Sequence, residues 1–354
     1  MINAFGPMYG PGSFANHARH LFGALHRRHP LAWFPYDTPS PSVEVTPEMA
    51  EMLANARAGL AAGPGLGVGA VGSVPRIRGT LRAALVVWET SVMPPGLRAC
   101  LRGADRLLTP TEWGRALLAA NGFDPACIAV VPEGVDVAHF RPYGAAGERG
   151  DRPFRFLCVA QWSVRKCIEE VVAAFRAEFR GGEGVELVLH CGEQTPANLR
   201  RLLGSGRVPG GAPVTASARR SAAGMVELYN ACDALVLATR GEGWGLPVVE
   251  AMACALPVIA TRYSAVGELV GERTGYPLRV ARMVDVRDPA CFPGPGPYGQ
   301  WAQPDGDHLR ALMRHVYEHP HEAREKGRRA REEVSARWTW DRAAAAAWAA
   351  LEVA

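Results

Sequence analysis

Two glutamates eight residues apart, Glu242 and Glu250, stand in RGEGWGLPVVEAM (240–252). There an apolar strand-like run gives way to a glycine-punctuated loop and then to a helix whose first turn Pro247 sets. Such a junction aims unpaired backbone N–H groups outward, and those donors together with the helix dipole favour a phosphate or diphosphate. Gly243 and Gly245, with Trp244 and Leu246 beside them, let a ligand approach the main chain. A carboxylate accepts hydrogen bonds without donating any, so each glutamate suits the hydroxyl pair of a sugar flanking the diphosphate. Taken singly, Glu250 would pass as a first-turn carboxylate complementing the helix dipole, and Glu242 as a solvated loop charge.

A second loop, AQWSVRKC (160–167), sets Arg165 and Lys166 directly before another helix start. Lys166 is one of two lysines among 39 basic residues, Lys326 being the other. Two cations and two helix N-termini around one crevice make a diphosphate clamp, with the carboxylates placed for the hydroxyls on either side.

The elements that must hold these loops alternate. FRFLCVA (154–160), VELVLHC (185–191), ALVLAT (234–239) and PVIAT (257–261) read as strands. The segments 168–179, 221–232 and 247–256 between them read as helices. Alternation of this kind predicts a parallel sheet covered on both faces, with ligands bound beyond the carboxyl ends of its strands. Residues 1–142 repeat the pattern less cleanly, with strands at 84–88 and 128–132 and helices at 17–28 and 114–122. The polar stretch 141–153 reads as an interdomain linker. The Pro/Gly-rich excursion 288–306 reads as a surface loop with no regular element, and WDRAAAAAWAALEV (340–353) as a final helix.

Composition narrows the function. A length of 354 residues suits two domains. A net charge of +4 falls short of a nucleic-acid binder's footprint, so no nucleic-acid partner is expected. Eight scattered cysteines show no metal spacing, and no metal site is expected. The opening MINAFGPMYG lacks the pattern of an export signal, which places the protein in the cytoplasm. The glycine-rich run 59–75 is a weak nucleotide signal. His17, Arg19, His20, Arg27 and Arg28 form a basic helix, read as a solvated face, with weak peripheral contact to an acidic membrane as the alternative. Core packing is the expected role of Trp88 and Trp113, whereas Trp244, among the loop glycines, is a candidate for stacking on a sugar.

EGWGLPVVE followed by AMACALPVIAT resembles the E-x7-E block of glycosyltransferase family 4. MYGPGSFANHARHL (8–21), ALVVWETSVMP (84–94), PEGVDVAHFRP (132–142) and VAQWSVRKCIEEVVAAF (159–175) are similar to other blocks of that family, in order. The resemblance implies a GT-B fold, two Rossmann-like α/β/α domains facing across a cleft. Residues 1–142 with the helix 338–354 would form the acceptor-side domain, and 150–337 the domain that binds the nucleotide sugar. It implies retaining, metal-independent transfer of a sugar from a nucleotide diphosphate sugar to a hydroxyl acceptor, without a cofactor. Glu242 would hold the donor sugar, Glu250 the ribose, and Lys166 the leaving diphosphate with the amides of Gly243 to Leu246. Gly12 and Ser13 would close over the donor, and Glu89 would orient a hydroxyl.

Three positions depart from the family pattern. Gln161 stands where an Arg is usual, with Arg165 as the candidate replacement, and Cys167 and Ala255 stand where Gly is common. The alternatives are a non-catalytic nucleotide-sugar-binding protein and another GT-B enzyme such as a nucleotide-sugar epimerase.

Overall fold

The computed structural model describes all residues except 42, 70, 144–151, 194, 204–210, 219, 290–291, 293–295 and 353–354. Most of the linker read at 141–153 therefore lies outside the described residues. The chain divides into two compact units. One holds Met1–Gly134, Gly296–Tyr298 and Trp338–Ala354, the other Val135–Pro295 and Gly299–Arg337.

The first unit is built on six parallel strands: β1 (Ile2–Gly6), β2 (Leu31–Pro35), β3 (Gly65–Val68), β4 (Arg82–Leu85), β5 (Arg106–Thr109) and β6 (Ile128–Val130). Their spatial order is β2-β1-β3-β4-β5-β6. All five residues of β1 are buried, as expected of a strand covered on both faces. β3 lies inside the glycine-rich run. A Cβ at Gly65 would lie 2.2 Å from the Arg78 carbonyl oxygen, and one at Gly67 2.4 Å from Ile77. These glycines therefore serve close packing, and the weak nucleotide signal there has a structural origin.

The terminal helix Trp340–Glu352 packs on the helix Ser13–His26 within this unit. The Trp340 ring stacks on His20 at 5.1 Å and sits 5.4 Å from His17, whose Nδ1 is 3.2 Å from a Glu133 carboxylate oxygen. This departs from the reading of a solvated basic helix at His17 and Arg19, whereas Arg27 and Arg28 are exposed. His17 is buried, and Arg19 turns inward to donate to the carbonyls of Met8 and Gly10. Arg27 is paired with Glu48 and Asp341.

The second unit carries β7 (Phe154–Val159), β8 (Val185–His190), β9 (Val214–Ala216), β10 (Ala234–Leu237), β11 (Val258–Thr261) and β12 (Tyr276–Leu278). They are parallel, in the order β12-β11-β10-β7-β8-β9. Fully buried Phe156, Phe175 and Phe179 pack together in its core, each ring contributing roughly 1.5–3 kcal/mol by its removal from water. Strand order reverses between β7 and β10. The loops that follow these two strands, 160–167 and 238–245, thus flank a topological switch point, where open parallel sheets bind ligands.

An antiparallel pair, β13 (Val280–Asp285) and β14 (Gln300–Pro304), corrects the reading of 288–306 as wholly irregular. Strand β14 forms because Trp301 and Ala302 are fully buried and the Ala302 N–H donates to the Arg240 carbonyl.

Candidate active site

The loops after β7 and β10 are bonded to one another through main chain and side chain. The Arg240 N–H donates to the Arg165 carbonyl at 2.8 Å, and the Thr239 hydroxyl donates to the same oxygen at 3.3 Å. Arg165 in turn donates from its guanidinium to the Gly241 carbonyl at 2.7 Å. Its own N–H reaches the buried Asp288 carboxylate at 3.1 Å. Arg240 is held from its far side by Glu170 at 2.9 Å, with its guanidinium over the Trp301 ring.

Glu242 is the centre of this set and is 5% exposed, which excludes a solvated loop charge. Its Oε1 accepts from Lys166 Nζ at 2.5 Å and its Oε2 from Arg165 at 3.1 Å. Burial works to raise the Glu242 pKa, but the charges of Lys166 and Arg165 outweigh it and hold the value at about 2. Glu242 is therefore ionised at neutral pH, one cation on each oxygen. Lys166, read as a diphosphate ligand, is here the partner of a carboxylate.

Beyond Glu242 the chain turns through Gly243 and Trp244 to Gly245, the N-cap of the helix Leu246–Ala253. Gly245 has φ 123°, a conformation that side-chain-bearing residues avoid. The Val248 and Val249 N–H groups donate to the Gly245 carbonyl at 2.8 and 3.3 Å and Pro247 has no N–H, so Leu246 carries the first-turn amide that helix geometry leaves without an intrahelical acceptor. Trp244 is 3% exposed. That burial corrects its reading as a surface for sugar stacking.

Glu250 is the fifth residue of that helix, past the first turn, so dipole complementation does not account for it. Its Oε2 accepts from the fully buried Tyr229 hydroxyl at 2.7 Å. Burial raises the Glu250 pKa to about 7, against the lowering effect of the Tyr229 bond. The two carboxylates thus differ in kind. Glu242 is a fixed anion and Glu250 titrates near neutrality.

Gln161 is exposed at the mouth of the first loop. Cys167 and Ala255 adopt left-handed backbone, φ 48° and 58°, the conformation that glycine takes without strain. Burial and the neighbouring Glu170 push the Cys167 thiol up to about 12, so it is a packed, un-ionised group.

Gly12, Ser13 and Glu89 belong to the first unit. Gly12 and Ser13 are exposed at the start of the helix Ser13–His26, beyond the carboxyl end of β1. Glu89 is half-buried beyond β4, next to the fully buried Thr90. The loop before Gly12 is shaped by Asp37, whose carboxylate accepts from the amides of Met8, Tyr9 and Gly10 at 2.7–2.8 Å.

Asp37, Tyr229, Thr239, Ser264 and Asp288 are supports that the sequence analysis did not name. Tyr229, Thr239 and Asp288 lay within segments marked only as a helix (221–232), a strand (234–239) and a surface loop (288–306), and Asp37 and Ser264 lay in no marked segment. No local spacing in the sequence connects any of the five to the group it holds, which is the Met8–Gly10 main chain for Asp37 and the Arg165 N–H for Asp288. Lys326, the other lysine, lies over the Tyr276 ring at 4.1 Å and pairs with Glu322 at 3.3 Å, a structural role.

Comparison with known proteins bears on this arrangement. Residues 153–292 match the family model described as "Glycosyl transferases group 1". The D-inositol 3-phosphate glycosyltransferase of Mycobacterium tuberculosis (strain H37Rv) is 30% identical over 184 residues, 47% of this chain and 35% of the relative. The chain thus spans about a third of the length of the curated relatives it matches. Among solved structures, sucrose-phosphate synthase from Thermosynechococcus elongatus superposes with a TM-score of 0.70 at 17% identity, covering 98% of this chain and 97% of that one. Anabaena Alr3699/HepE, solved with UDP-glucose, gives 0.69 at 14% identity over 98% of both chains. Two parallel-sheet Rossmann-like units with these neighbours make the fold GT-B. Residues 153–292, which carry Arg165, Lys166, Glu242 and Glu250, are accordingly the part of the chain that matches the group 1 glycosyltransferase model.

Proposed function

We propose that the protein is a retaining glycosyltransferase that takes a sugar from a nucleotide diphosphate sugar to a hydroxyl acceptor, a glycan or a small natural product. One observation carries the reading. An ionised, buried Glu242 is held by Lys166 and Arg165 directly ahead of the helix that starts at Leu246, at the switch point of a parallel sheet.

In this reading the diphosphate rests against Lys166 and the amides of Gly243 to Leu246, and Glu242 accepts from hydroxyls of the donor sugar. Glu250 accepts from the ribose hydroxyls. As the glycosidic bond breaks, negative charge builds on the diphosphate, and fixed cations with helix N–H groups stabilise it without reorganising. The positive charge comes from the chain itself, so the transfer is metal-independent and needs no cofactor. Gly12, Ser13 and Glu89 act on the donor and acceptor from the first unit. UDP and UDP-glucose are the first ligands to test, UDP-glucose as the donor and UDP as its product, since Anabaena Alr3699/HepE has been solved with both.

A thermal-shift screen of UDP, GDP and their sugars identifies the donor, because a ligand of the native state raises its melting temperature by mass action. Release of nucleoside diphosphate from that donor is expected of the wild type and is expected to vanish in Lys166→Ala and Glu242→Ala. Unchanged release in both variants refutes the assigned roles. The exposed, uncharged Gln161 favours a second reading, a binding protein without turnover. Calorimetric binding with no product over a broad acceptor panel would select it.

A further inference from the structure

Glu242 is gripped by its peptide as well as by its carboxylate. Its N–H donates to the Ser264 hydroxyl at 2.9 Å, and its carbonyl accepts from the Ala265 N–H at 3.3 Å. Both partners come from the start of the helix Ser264–Leu269, which follows β11. Ser264 is 5% exposed, so water does not compete for its hydroxyl. It also holds φ 54°, a left-handed conformation that disfavours any residue with a Cβ. Glycine would take that backbone without strain. What serine adds is the hydroxyl, and the hydroxyl is spent on the residue that carries the buried carboxylate. Non-glycine residues in strained backbone that persist at a site point to a role there.

We propose that Ser264 is a positioning residue for Glu242: its hydroxyl fixes the Glu242 peptide, so that the carboxylate is held in register with Lys166 and Arg165 and toward the donor sugar. The inference rests on the reading of Glu242 as the group that grips that sugar.

The test compares wild type, Ser264→Gly, Ser264→Ala and Glu242→Gln in the full chain. The measurements are melting temperature, UDP and GDP affinity, and release of nucleotide from UDP-glucose and GDP-mannose. Ser264→Gly relieves the backbone and deletes the bond, whereas Ser264→Ala deletes the bond and keeps the strain. Ser264→Gly is expected to melt at or above the wild-type temperature and to bind the nucleoside diphosphate within twofold of wild type, yet to release nucleotide about tenfold more slowly. Ser264→Ala is expected to lose as much rate and to melt lower. If Ser264→Gly and Ser264→Ala turn over within twofold of wild type while Glu242→Gln does not, the role of Ser264 is refuted and that of Glu242 stands. If the wild type releases nucleotide from neither donor and matches Glu242→Gln throughout, both the function and this inference fall.

Discussion

Lys166 Nζ lies 2.5 Å from Glu242 Oε1, and this ion pair joins the loops that follow β7 and β10. Its side chains are 12% and 7% exposed, so removing one charge strands the other where water reaches it poorly. Lys166→Met is expected to cost about 3 kcal/mol of stability, near the low end for breaking a buried pair. Arg165 softens the loss because it still holds the other Glu242 oxygen at 3.1 Å. The double variant Lys166→Met/Glu242→Gln should recover part of that loss, since neither charge then remains. Urea midpoints of the two variants measure both effects.

The two site carboxylates predict opposite pH limbs. Glu242, held at about 2, contributes stability that is complete above the ordinary carboxylate pKa and is lost as the pH falls from about 4.5 toward 2. Glu250, raised to about 7, keeps in the folded state a proton that the unfolded chain has released, so stability falls as the pH rises from about 4.5 to 7. Each limb is on the order of 3 kcal/mol. In Glu250→Gln the second limb should disappear, so that its stability gain over wild type grows from pH 4.5 to 7 and then levels. A gain that stays constant across that range would contradict the raised value.

Tyr229→Phe tests the support under Glu250. The tyrosine hydroxyl lowers the Glu250 pKa against the effect of burial, so its loss should move the midpoint of the Glu250-dependent limb to higher pH. Loss of a hydrogen bond to a group that can be charged is expected to cost about 1.5–3 kcal/mol above that midpoint, and less below it. Denaturation across pH 5–9 reads both changes.

Gly134→Ala is expected to destabilise the first unit strongly. A Cβ there would lie 2.3 Å from the Trp340 backbone nitrogen, and a main-chain atom cannot swing away as a side chain would. The expected loss is at least about 3 kcal/mol, the upper range for overpacking. Near-wild-type thermal unfolding would show that the terminal helix shifts at little cost.

Ala255→Gly has the opposite sign. Its φ of 58° is unfavourable for alanine by about 1–2 kcal/mol, and the extra freedom of glycine in the unfolded chain offsets part of the gain. A net stabilisation of about 0.5–1 kcal/mol is expected from chemical denaturation.

The second unit was the more legible in sequence, and the reason is physical. Its strands are apolar runs between amphipathic helices, and the elements read at 154–160, 168–179, 185–191 and 234–239 match the observed ones within two residues at their ends. In the first unit β1, β2 and β5 escaped notice. MINAFGPMYG and LAWFPY contain Gly, Pro or polar residues that break the pattern, and RLLT is four residues long. The loops bearing Glu242 and Lys166 could be marked because glycine, proline and charge cluster locally. The supports could not. Ser264 and Asp288 reach the site only through the winding of β11 and the pairing of β13 with β14, and a serine or an aspartate in a loop is unremarkable by itself. The Trp244 reading failed because adjacency to glycines says nothing about which way an indole turns.

The return of the helix Trp340–Glu352 to the first unit orders events during synthesis. Residues 135–337 are nearly continuous in the second unit, so that sheet can assemble as soon as it clears the ribosome. The first unit must wait, because the surface formed by His17, His20 and Glu133 has no cover until this helix, made after residues 135–337, emerges. During that interval this flank is open to chaperones and to other nascent chains. Truncated transcripts should therefore yield a product whose 135–337 portion resists protease while residues 1–134 are cut away.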